Sequence, residues 1–354
     1  VPGVPDRKFA LAVKFLSEVT EKFKTSRLQV SMLKSVAEAF GLTAFSDVCV
    51  YGPVEPDDRN VRLDFLELHF KDQFITRGDM WRFTDATMNL PVHRGKVLNI
   101  EGIRARVEDV KRWDSTVESG VLMDKTRVVF RSRSARIFWL VQMSAEMWKP
   151  FDSSSGELYF ERFINGFVRP VLQRWRDDDT SHSLSVVFFS RTRVAVKPGV
   201  AQGASGDGAA LGRNASALLE DAEGRLYRDF YKMVVENEEP EGLLSMIPKL
   251  KEEFMAFPRQ VGWGSGQGAY PNGNVKAMGF RGGSPCGAAQ GNFLEAINVT
   301  LNVLDKHFMD RDLMRTGNSI VMISPSCGNF RVESKLAKIT KQRMMDNGIG
   351  MDMI

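Results

Sequence analysis

Along the first 135 residues the apolar positions alternate over short stretches and then lose phase, the signature of half-buried strands interrupted by turns. Leu28 to Met32, Ser46 to Tyr51, Val61 to Phe70, Val97 to Ala105 and Arg127 to Phe130 read as strands, with short helices between them. The clearest is Val61 to Phe70, apolar at 61, 63, 65, 66, 68 and 70. Its change of phase predicts one buried and one wet face, with a register slip or bulge near Phe65. Residues 1–135 are therefore expected to form a mostly β domain.

From residue 136 the pattern changes. Ile137 to Val141 is almost continuously apolar, as expected of a central strand covered on both faces. Phe160, Phe163, Ile164, Phe167, Val168, Val171, Leu172 and Trp175 then recur at the spacing of a helix lying on a sheet. Pro170 inside that stripe costs about 3 kcal/mol and frees the carbonyl of Gly166, which predicts a kink there. Leu184 to Phe189 is a second long strand. Further helices are expected at 241–257, 292–308 and 332–346, with a strand at Ser319 to Ser324 and a helix stop at Asn347-Gly348. Strand, helix and strand in repetition predict a doubly wound α/β domain over 136–354, with a mainly parallel sheet. The stretches 197–224 and 262–291, the second with ten glycines, read as mobile loops.

Bulk properties narrow the function classes. The 354 residues fit two domains, and 43% hydrophobic with 26% charged residues is the composition of a folded chain. A net charge of +4, from 48 basic and 44 acidic residues, does not nominate nucleic acid. Cys49, Cys286 and Cys327 are few and far apart, which suits reduced thiols in an intracellular protein. No run reaches the roughly 20 apolar residues that span a bilayer, so membrane association is expected to be peripheral. The start at Val1 and the stop within Ile349 to Ile354 suggest an excerpt of a longer protein.

Candidate chemistry is sparse. Ligands in a doubly wound sheet bind beyond the carboxyl ends of its strands, which singles out Gln142-Met143-Ser144-Ala145-Glu146. The order of elements is similar to the von Willebrand A-type fold, where an Asp-x-Ser-x-Ser motif at this place holds magnesium. Here the aligned positions are Gln142, Ser144 and Glu146. A hard cation wants the carboxylate at the first position, so a structural strand end is the preferred reading and a metal-dependent binding module the alternative. The glycines at 262, 264, 266 and 268 follow a helix instead of a strand, which argues against a phosphate loop. His69, His93, His182 and His307 form no zinc spacing, and no nucleophile motif is present. Arg127, Arg131, Arg133, Arg136 and Lys149 read as a solvated join between domains. No catalytic, cofactor-binding or metal residue is assigned, and no cofactor is expected.

Several stretches together resemble one family. Leu68 to Arg82, Thr126 to Ser132, Gln142 to Trp148, Asn165 to Phe167, Phe188 to Thr192, Asp229 to Lys232, Gln290 to Asn298 and Thr340 to Gly350 are similar to the Iml-one family. This is the DEP-domain-containing subunit of the complex called GATOR-one in animals and SEACIT in yeast. The resemblance implies an incomplete, barrel-like N-terminal domain and a von Willebrand A-like second domain. It further implies a non-catalytic scaffold in a GTPase-activating complex that acts on Rag-type GTPases and restrains TOR complex one when amino acids are scarce. Nprl-two-type and Nprl-three-type subunits are the implied partners, and Rag-type GTPases would be met through regions outside this chain. The implied place is cytoplasmic, peripheral at the vacuolar or lysosomal membrane. Ser144, Glu146, Trp148, Ser190 and Arg191, within the matching stretches, are the expected partner-binding positions.

Overall fold

The computed structural model describes residues 10–11, 31–46, 59–152, 154–194, 218–221, 223–239, 242, 244–263, 283–305, 313–326 and 329–354. The expected strands at Leu28 to Met32 and Ser46 to Tyr51 lie mostly outside these residues, as do 197–217, 264–282, His307, Cys49 and Cys327. The chain divides into two compact units, Val1–Arg133 and Ser134–Ile354.

The described residues of the first unit include a short helix α1 (Lys34–Ala39) and strands β1 (Phe65–Phe70), β2 (Pro91–His93), β3 (Val97–Ile100), β4 (Ile103–Arg112), β5 (Ser115–Thr116), β6 (Ser119–Val121) and β7 (Arg127–Ser132). Its main sheet runs β3-β4-β1-β7, with β5 on β4, while β2 and β6 form a separate ribbon. Among the described strands of this sheet, β1 and β7 are the parallel pair. Among the described residues this is an open sheet and no barrel closes, so the barrel-like expectation is not confirmed. In β1, Leu66, Leu68 and Phe70 face the core in strict alternation. The out-of-phase Leu63 is also buried but precedes the strand, and the register shift falls at Glu67/Leu68 against β4. Helix α2 (Arg77–Ala86) starts at a capping box, in which the Thr76 hydroxyl accepts the Asp79 amide and Asp79 accepts the Thr76 amide. It buries Phe83 edge-on against Phe130.

The second unit is built on β8 (Arg136–Gln142), whose residues from Ile137 onward are all buried. It pairs in parallel with β9 (Ser183–Val194) on one side and β13 (Asn318–Ile323) on the other, and β14 (Gly350–Met353) extends β13 in parallel. The order is β10-β11-β9-β8-β13-β14. The outer strands β10 (Leu219–Glu220), β11 (Leu226–Glu238) and β12 (Gly283–Pro285) are antiparallel to their neighbours, so the sheet is parallel in its centre and mixed at one side. One face packs Trp139, Val141, Val186 and Phe188 under helices α3 (Tyr159–Phe163), α4 (Arg169–Asp177) and α5 (Met246–Val261). The other packs Phe138, Leu140, Phe189 and Met322 under α6 (Phe293–Leu304) and α7 (Ser334–Asn347).

Where a kink was expected at Pro170, the helix carries a π turn just before the proline. Residues Ile164–Val168 make a π turn that joins α3 to α4 in one continuous helical run, and Pro170 follows it as the second residue of α4. Through that turn Phe163 and Phe167 still reach Trp139, at 6.4 and 5.2 Å between ring centroids. Pro248 sits in the first turn of α5, where it displaces no helical hydrogen bond. Gly348 ends α7 at φ 61°, as the Asn347-Gly348 signal predicts.

Candidate functional site

The strand order places a topological switch point between β8 and β13, whose following segments leave to opposite faces of the sheet. A crevice at the carboxyl ends of these two strands is where such sheets bind ligands. Here it is closed by side chains. Gln142, 1% exposed, accepts a hydrogen bond from the Ser324 hydroxyl at 2.7 Å, which ties the end of β8 to the end of β13. Its Nε2 donates to the Ala288 carbonyl at 2.9 Å.

The segment after β12 lies across this end of the sheet. The Ala145 amide donates to the Cys286 carbonyl, the Cys286 amide donates to the Arg191 carbonyl, and the Glu146 carboxylate accepts the Ala288 amide at 3.1 Å. Close approach requires glycine at two positions. A Cβ at Gly291 would stand 2.2 Å from Gln142 Nε2, and one at Gly287 3.0 Å from Glu146 Oε1. Cys286, the first residue of that segment, is buried, and the burial pushes its thiol pKa up, away from the reactive thiolate.

The residues do not fit the magnesium of the metal-binding von Willebrand A fold. An amide donor at Gln142 points where an anionic oxygen is needed, and Glu146 already accepts a backbone N–H. Among the described residues no three His, Cys, Asp or Glu side chains gather as a metal-holding group.

The five positions singled out as partner-binding lie in distinct surroundings. Ser144 and Ser190 are 4% and 2% exposed, and neither hydroxyl has a hydrogen-bond partner. Glu146 holds the covering segment. Trp148 stacks on Phe254 at 4.7 Å and stands edge-on to Trp263, whose indole N–H donates to Thr192 Oγ1. Arg191 makes two bonds to Asp229, at 2.7 and 2.8 Å, a third to Glu295 at 2.9 Å, and lies 4.1 Å over the Tyr227 ring. It thereby pins the first turn of α6 to the antiparallel side of the sheet. Burial is the largest influence on Asp229 and raises its pKa against the opposing pull of Arg191. The sequence reading placed Ser324 only at the end of an expected strand and Asp229 only within a family-matching stretch, and it did not single out Ala288; the bonds these three make were not foreseen.

Comparison with known proteins supplies the family. Residues 134–354 match the family described as "Vacuolar membrane-associated protein Iml1, vWA-like domain", and residues 66–132 match the IML1 small domain. A DEP domain-containing protein of Dictyostelium discoideum is 38% identical across 100% of this chain, which covers 14% of that protein. The GATOR complex protein Iml1 of Drosophila melanogaster is 35% identical over 92% of the chain and 20% of its own length. The vacuolar membrane-associated protein IML1 of Pyricularia oryzae is 32% identical over 99% of the chain and 19% of its own length. The chain thus spans a fifth or less of these relatives. No helix among the described residues is long and apolar enough to cross a membrane. With a vWA-like unit and a small unit that both match, in order and over most of its length, the chain belongs to the Iml1 family.

Proposed function

We propose that this chain is a non-catalytic scaffold region of a GATOR-type complex subunit, working peripherally at the vacuolar or lysosomal membrane. In that setting the complex stimulates GTP hydrolysis by Rag-type GTPases and restrains TOR complex one in amino-acid starvation. Nprl-two-type and Nprl-three-type subunits are its direct partners. The observation that carries the reading is the closed switch point. The place where this fold would keep a ligand is occupied by the Gln142, Ser324 and Ala288 hydrogen bonds, so the sheet serves as a rigid body that presents its outer surface. Glu146 and Arg191 would then support partner contacts by fixing the covering segment and the start of α6, and Ser144, Trp148 and Ser190 by packing inside the fold.

The full-length protein is expected to co-purify with Nprl-type subunits, and its removal to lower Rag-directed GTP hydrolysis by the complex. Failure to assemble with them, or unchanged hydrolysis without it, refutes the scaffold role. Calorimetric titration with magnesium is expected to show no specific heat. A saturable signal that disappears in Glu146→Ala would restore the metal-dependent module.

A further inference from the structure

Between β8 and α3 the chain makes a turn with three successive serines, Ser153, Ser154 and Ser155, after Asp152 and before Gly156-Glu157. The turn is pinched at its base, where Pro150 bridges Leu158 and the Phe151 amide donates to the Glu157 carbonyl at 2.6 Å. Gly156 reverses the chain at φ 66°. Ser154 is exposed and lies outside any helix or strand. Its amide donates to Asp152 Oδ1 at 3.1 Å and its hydroxyl to Asp152 Oδ2. This hydroxyl thus has carboxylates on both sides in the chain, Asp152 two residues before and Glu157 three residues after.

An acid-directed protein kinase reads carboxylates around a serine or threonine, above all the one three residues on, with basic side chains in its cleft. Among the described residues four hydroxyls have an acid at that spacing. Ser35 lies in α1, Thr76 caps α2 and is bonded to Asp79 itself, and Ser115 lies in β5, paired with Arg112. Each of these would have to leave a helix or a ladder to enter a cleft in extended form. Ser154 would give up only its bonds to the Asp152 side chain.

A cation already stands beside the same turn. The Arg162 guanidinium lies 5.2 Å over the Phe151 ring and along Gly166, where a Cβ would be 3.5 Å from Arg162 Nε. The carboxylates near it are engaged elsewhere: Glu161 accepts the Leu158 amide at 2.9 Å, and Glu157 accepts the Asn165 side-chain amide at 3.3 Å.

We propose that Ser154 is a phosphorylation site for an acid-directed serine kinase and that Arg162 holds the phosphate once it is attached. In the transfer Ser154 Oγ bonds to the γ-phosphorus of ATP while the bond from that phosphorus to the bridging oxygen breaks. ADP leaves, and the hydroxyl proton passes to the catalytic base of the kinase. The esterified oxygen has no hydrogen to donate to Asp152, and a phosphate of charge about −2 beside that carboxylate drives the two apart. The turn then carries its new charge toward Arg162, whose planar guanidinium can take two phosphate oxygens at once. The charge presented at the start of α3 thereby changes sign. None of this depends on the scaffold role.

The test is incubation of the full-length protein with ATP and casein kinase two, an acid-directed kinase, followed by peptide mass spectrometry. Phosphate is expected on Ser154 and on neither Ser153 nor Ser155. Glu157→Gln, which keeps an acceptor for Asn165, should slow its incorporation about tenfold, and Ser154→Ala should abolish it. Phosphorus NMR then follows the second ionisation of the phosphate, which in a free phosphoserine falls at about pH 6. With the Arg162 guanidinium in contact it should titrate at lower pH than in Arg162→Ala. An unlabelled Ser154, labelling of Ser153 or Ser155 in its place, or equal labelling of Glu157→Gln overturns the site. Identical titration in Arg162→Ala overturns the pairing.

Discussion

Acidification should weaken the α/β unit through one buried imidazole. His182, 9% exposed, precedes β9 and accepts the Ala135 amide on Nδ1 at 3.0 Å, edge-on to Trp175 at 5.0 Å. Burial, reinforced by the charge of Arg315, lowers its pKa from 6.5 to about 4. A protonated Nδ1 could not accept the Ala135 N–H at all. The unfolded chain takes up its proton near 6.5 and the folded one only near 4, so stability is full above 6.5 and is lost as pH falls through that interval. The whole gap is worth roughly 3 kcal/mol, of which about 2 kcal/mol is lost by about pH 5. His182→Asn keeps an acceptor for Ala135 and cannot titrate. Hydrogen exchange at β8 and β9 amides, corrected for its intrinsic pH dependence, reads the stability of this unit by itself. The deficit of His182→Asn relative to the unaltered chain should shrink by about 2 kcal/mol between about pH 7.5 and about pH 5. Parallel stability curves for the two proteins would refute the assignment.

Three further outcomes follow from the structure. Gly291→Ala should cost about 1–3 kcal/mol in thermal unfolding by displacing the Gln142 amide. The same change in a Gln142→Ala background should cost clearly less, and an additive cycle would show that the two do not interact. Arg191→Ala strands the buried Asp229 carboxylate, at a cost of about 3 kcal/mol. That deficit should shrink on acidification, because Asp229, its folded pKa raised further, then binds a proton more readily folded than unfolded; a deficit that does not change with pH contradicts this. Trp113 and Asp114 join β4 to β5 with φ of 53° and 58°, so Trp113→Asn with Asp114→Gly should stabilise the small unit by about 1–2 kcal/mol, and no gain in denaturant midpoint would mean that the turn carries no strain.

The apolar core of the second unit was legible because continuous runs and helical stripes report burial directly. Ile137 to Val141 and the Phe160 to Trp175 stripe fall on β8 and on α3 and α4 as read. Strand β11 was missed. Its charges at Arg228, Asp229 and Lys232, and register shifts at Met233/Val235 and Val235/Glu238, hide the period of two. Helix α2 carried a readable signal in Thr76 and Asp79, but its single buried residue, Phe83, gives no apolar stripe. At the site, the sequence located Gln142 and could not close it. The partners that do so stand 182 and 146 residues away, at Ser324 and Ala288, and no local pattern encodes such distances.

The Gln142 clasp also bears on how this domain could change over time. A lineage passing from this site to a cation-binding one has no single-residue route. Replacing Gln142 with aspartate would face a new charge toward the Ala288 carbonyl while leaving Ser324 as the only remaining donor of the original pair. Glu146 would still be spent on the Ala288 amide, and Gly287 and Gly291 would still press the covering segment down. Each early substitution would lower stability before any later one returned affinity. The closed switch point thus makes a cation-binding form of this site a change of several residues at once, each of which lowers stability when made alone.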